Sequence, residues 1–126
     1  MEEMWERLEK WQKNSDVGMT KDKYLELREQ IGKEPNPEEC PPGAEDFPDI
    51  LLDSINIFNM LGDRVFPEIG YIGKDYTNLP VLLKVFAVDN VDLLMETLSR
   101  LDAHAIKKSQ EHLKREYDKM KRKNRG

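Results

Sequence analysis

The side chains with catalytic or metal-binding chemistry are few and dispersed. His104 and His112 stand eight residues apart, twice the i, i+4 step that places two imidazoles on one helical face around a metal. His104, Lys108 and Glu111 can share a face, which reads as solvated helix surface. The single cysteine, Cys40, lies in a proline-rich stretch with no nearby histidine to activate it. Gly70-Tyr71-Ile72-Gly73-Lys74-Asp75 lacks the frame of a phosphate-cradling loop. No catalytic set, metal site or cofactor site is therefore expected, and the chain reads as a non-enzymatic interaction protein.

The elements around these residues read as helices. From Asp89 to Lys123 no proline or glycine interrupts the chain. Leu94, Leu98, Leu101 and Ala105, then Ile106, Leu113, Tyr117 and Met120, recur in steps of three, four and seven, the spacing of one helical face. The stripe shifts at Ala105-Ile106, so the first half reads as a core wall and the second as a docking arm. Upstream, Asp46 is expected to open an apolar helix ending at Gly62, with Ile50, Leu51, Ile55, Ile57, Phe58 and Leu61 on a wide face. Thr77 or Asn78 opens a short helix through Leu79 and Phe86, and Asp89 is expected to cap the long one. Asp63 to Asn78 mixes aromatic, β-branched and glycine residues and reads as an ordered loop, with a short hairpin as one form.

Towards the N-terminus, Met4, Trp5, Leu8 and Trp11 form one stripe. They either dock within the chain or anchor a partner, because Trp is enriched at the energetic centres of interfaces. Thr20 caps a helix over 21–31, closed by Gly32. Pro35, Pro37, Pro41 and Pro42, interleaved with glutamates, predict a semi-rigid extended spacer. The expected fold is all-α: about five helices with a long C-terminal helix and a Pro-rich linker. Residues 1–32 form a helical arm, 33–46 the linker, 47–106 the core domain and 107–126 a basic tail.

Composition sets limits on partners. Charged residues make up 36% of the 126-residue chain and hydrophobic ones 38%, so the affordable core is small. One cysteine excludes an internal disulfide, and with no apolar leader segment a reducing cytosol is the expected compartment. No apolar run reaches membrane-spanning length. The net charge of −5 conceals an asymmetry, since residues 107–126 hold nine Lys and Arg against three acids. Lys119, Lys121, Arg122, Lys123 and Arg125 are candidate phosphate contacts. Glu111 with Arg115, and Asp118 with Arg122, stand at the spacing of intrahelical ion pairs. Candidate partner-binding residues are Trp5, Leu8, Trp11, Phe66, Tyr71, Tyr76, Leu113, Tyr117 and Met120.

Several short stretches carry a resemblance. Asp46-Phe47-Pro48 before an apolar helix, Gly73-Lys74-Asp75-Tyr76 before Leu79-Pro80 and a second apolar helix, Met19-Thr20-Lys21-Asp22-Lys23-Tyr24 and Glu34-Pro35 all resemble small proteins of tailed bacteriophages. The likeness is to tail assembly chaperones; after the first helix the chain has Gly62-Asp63-Arg64 where that family carries Gln-Trp-Arg. The resemblance implies a protein of the host cytoplasm that holds a tape-measure-like tail protein soluble during assembly. A structural virion component (head–tail connector, capsid- or tail-associated subunit), a small nucleic-acid-binding protein acting through the basic helix, and a homo-oligomer remain the alternatives.

Overall fold

The structure is a computed structural model describing residues 2–125; the side chains of residues 44, 124 and 125 lie outside the description. The chain divides into two compact units, Met1–Pro48 and Asp49–Gly126.

The first unit holds α1 (Glu2–Asp16) and α2 (Lys21–Gln30), followed by the proline-rich segment and a single 3₁₀ turn at Ala44–Asp46. Gly18 takes φ +74 between the helices, a conformation that disfavours a side chain. Thr20 caps α2 by accepting from the Lys23 N–H at 3.3 Å. The segment expected as a spacer is fastened to α2. The Tyr24 hydroxyl accepts from the Asn36 N–H and from Arg28 Nε, both at 3.0 Å, and Arg28 pairs with Glu39 at 2.6 Å. Asp46 does not open a helix as expected. Its carboxylate accepts from the Gly43 N–H at 2.8 Å and pairs with Lys21 at 3.2 Å, while Pro48 biases Phe47 away from helical backbone.

The second unit starts with α3 (Asp49–Met60), continues through β1 (Gly62–Phe66) and β2 (Gly70–Asp75), and ends with α4 (Leu79–Val85) and α5 (Val91–Arg125). The two strands are antiparallel, in register from Gly62↔Asp75 to Phe66↔Gly70, with an irregularity at Arg64/Val65. The all-α expectation is therefore corrected: among the described residues five α-helices are accompanied by a two-stranded antiparallel hairpin, which connects α3 to α4. Glycines at 70 and 73 and the irregular register hide the alternation that marks a strand. Such a pair is marginal alone, and here it is stabilised by docking β2 on α5.

The core of this unit is Ile57 of α3 and Leu61 just past its end, Leu79 of α4, and Leu94 and Leu98 of α5, flanked by Phe58, Leu82 and Phe86. Apolar residues at four-residue steps on α3 and α5 bring these faces together. Asn90, not Asp89, caps α5, accepting from the Leu93 N–H at 3.1 Å. With 35 residues, α5 is about 52 Å long, and its side chains beyond Leu113 are exposed through residue 123. Replacing the fully enclosed Leu98 is expected to leave a cavity in this shared core. Urea denaturation of Leu98→Ala should show a loss of about 2–5 kcal/mol.

Candidate functional site

The polar centre of the second unit is Asp102, an acid on the buried face of α5 with 8% of its surface exposed. Three donors from the hairpin side converge on it. The Tyr71 hydroxyl donates to Oδ1 at 2.5 Å; the Tyr76 hydroxyl at 2.8 Å and the Lys74 N–H at 3.1 Å donate to Oδ2. Two turns further along, Ser109 Oγ accepts from the Tyr71 N–H at 3.3 Å. Two glycines permit this closeness. A Cβ at Gly73 would stand 3.3 Å from Asp102 Oδ2, and one at Gly70 would meet Leu113 Cδ1 at 2.8 Å. Both positions also have positive φ, +131 and +84.

Burial first, and then the hydrogen bond to Asp102, push the Tyr71 and Tyr76 hydroxyls well above the usual phenol range. Both phenols are thus held protonated as donors, which is unsuited to a base or nucleophile at neutral pH. The cluster positions the hairpin. Its geometry is that of a clasp.

Beside the clasp lies an open groove of about 470 Å³ lined by Phe58, Asp63, Tyr71, Lys74, Ala105, Lys108, Ser109, His112 and Arg115. Lys74 bounds it from the hairpin with a side chain only 9% exposed. Its ammonium pairs with Asp63 at 2.6 Å, donates to the Leu61 carbonyl at 3.3 Å, and sits 4.5 Å above the Phe58 ring. The α5 wall is one face of the helix, carrying Lys108, His112 and Arg115 at steps of four and three. The groove therefore has an aromatic floor and a basic rim.

The residues expected to meet a partner are distributed unevenly. Leu8 is buried; Trp5 is half-buried, and Trp11 lies edge-on to Phe47 with ring centroids 6.0 Å apart. Tyr71 and Tyr76 are committed to Asp102, and Leu113 is half-buried over Gly70. Phe66, Tyr117 and Met120 stay exposed. Lys119, Lys121, Arg122 and Lys123 are exposed along α5, while the side chain of Arg125 lies outside the described residues. Neither expected ion pair, Glu111–Arg115 or Asp118–Arg122, forms among the described residues; Lys119 meets Glu116 instead, at 3.5 Å. Among the described residues no cluster of His, Cys, Asp and Glu could hold a metal, and no helix is long and apolar enough to cross a membrane.

Asp102 belongs to none of the residue sets expected from the sequence. A signal was present: it stands four residues after Leu98 and four before Ile106, an acid inside an apolar stripe. Comparison with family models, curated proteins and solved structures gives no match.

Two outcomes test the clasp. Asp102→Ala leaves two phenols and an amide without their acceptor, and should cost about 2–4 kcal/mol in chemical denaturation. The alkaline limb follows from linkage. A phenol whose pKa is raised on folding contributes stability below its unfolded pKa of about 10 and loses it as pH rises further. Unfolding free energy should thus fall above about pH 10 by about 1.4 kcal/mol per pH unit for each phenol. Urea titrations between pH 9 and pH 11 should show a shallower fall in Tyr71→Phe than in the parent chain.

Proposed function

We propose that this chain is a non-enzymatic assembly protein of the tail-chaperone type that its motifs resemble, acting in the host cytoplasm on a larger, tape-measure-like tail protein. One observation carries the reading: apolar side chains are held in solvent on two well-anchored elements. At the hairpin tip these are Val65, Phe66 and Ile69, and on α5 they are Tyr117 and Met120, with Phe66 47%, Tyr117 60% and Met120 63% exposed. The hairpin is clasped to α5 at Asp102 and Ser109, so its tip is presented with little entropy left to lose on binding. Apolar surface offered in this way suits a client whose own apolar helical segments need cover before they polymerise.

The chemistry of the described residues supports a binding role. Its most perturbed groups are phenols engaged in structure, its cysteine hydrogen-bonds the Pro41 carbonyl at 3.6 Å, and its histidines are eight residues apart. A virion component would use the same exposed surfaces but would remain in the finished particle, so mass spectrometry of purified particles separates the two. A chaperone is absent from them.

The direct measurement is co-purification with the tape-measure protein. Phe66→Asp with Tyr117→Asp should reduce recovery about fivefold or more, because a charge placed in an apolar contact is desolvated without a partner. Both side chains are exposed, so thermal stability should hold within about 0.5 kcal/mol of the parent. Undiminished recovery would refute the docking role of these residues, and failure of the parent chain to recover the protein at all would refute the chaperone reading.

A further inference from the structure

The basic rim of the groove does not end at the groove. Lys108, His112, Arg115, Lys119 and Arg122 follow one another at steps of four, three, four and three, all exposed on one side of α5. At 1.5 Å per residue this seam is about 21 Å long, with a side chain about every 5 Å. Its head meets the groove, whose lining includes Phe58, Tyr71 and Ala105 together with Asp63 and Lys74. Basic line and apolar socket are thus continuous on one face.

We propose that this seam is the docking site for an acidic helix of a protein partner, lying alongside α5 with one apolar side chain seated in the groove. A helix bearing carboxylates at the same four–three spacing climbs at the same 1.5 Å per residue, so its charges meet the seam rung for rung. The like charge of two α5 tails disfavours a second copy in this position. A nucleic-acid strand fits less well. The one aromatic of this tail, Tyr117, is two residues from both Arg115 and Lys119, which turns it to the opposite side from the seam, where it cannot stack on bases held there. The inference rests on reading the chain as a protein-binding factor, and it adds the chemistry of the partner.

The test uses the full chain and a fluorescent helical peptide of about 21 residues, with glutamates at four–three spacing and a leucine near one end. Fluorescence anisotropy is compared with a scrambled peptide of equal composition and with an oligothymidylate of matched length. The ordered peptide should bind at least about tenfold more tightly than either, and binding should weaken as salt rises and the Debye length shrinks. Arg115→Glu with Arg122→Glu should weaken it by about tenfold or more, while circular dichroism and thermal stability remain those of the parent. Equal binding of the scrambled peptide, tighter binding of the oligonucleotide, or indifference to the double reversal would each overturn the seam. The double-reversal chain is also assayed for co-purification with the tape-measure protein. Recovery by the parent together with peptide indifference overturns the seam alone. Failure of the parent to recover that protein overturns the chaperone reading, and the peptide result still decides the seam.

Discussion

The carboxylate of Asp102 is the contact on which the second unit depends. A buried acid is costly unless its oxygens are satisfied, and here the satisfying donors all come from one strand and the residue just after it. Tyr71, Lys74 and Tyr76 each contribute one donor. The arrangement is reciprocal: the helix needs the hairpin's donors, and the hairpin needs the helix as its support. A two-stranded ribbon with one strand exposed along its whole length has little apolar burial of its own. Hydrogen bonds to α5, rather than a second sheet layer, hold it.

That dependence organises the surface as well. Because Gly70 and Gly73 let β2 lie close against α5, the strand and the helix form the two banks of the groove, and Lys74 closes one end over Phe58. The same docking carries the hairpin tip outward with its apolar side chains uncovered. Clasp, groove and exposed tip are consequences of one close approach. The lower half of α5 receives no such cover, and its two sides carry different signals: apolar at Tyr117 and Met120, basic from Lys108 to Arg122.

The first unit shows a different economy. Its hydrogen bonds gather at the phenol of Tyr24 and at Asp46, which between them hold the proline-rich segment where prolines have removed backbone donors. A stretch that reads as a spacer becomes part of a folded unit because Arg28, Lys21 and Tyr24 on α2 supply partners for it. The glutamates among the prolines share in this, Glu39 meeting Arg28 and Glu45 meeting Lys21.

Helices were the legible part of the chain. Apolar spacing and breakers placed α1, α2, α4 and α5 within a few residues, because periodicity is local and a buried stripe must show it. The core residues Ile57, Leu61, Leu94 and Leu98 were readable for the same reason. The hairpin is far less legible, since strand pairing over a few irregular residues leaves almost no periodic trace. The use of Asp46 was hidden as well, because Gly43 and Lys21 claimed a carboxylate that a sequence rule assigns to helix capping. The role of Asp102 is the least legible of all. By type and spacing the sequence determined a long helix with an apolar half and a basic half, and little convergent chemistry. Only the tertiary structure decided which acid would be buried, because that depends on donors 26 to 31 residues away, brought near by the fold.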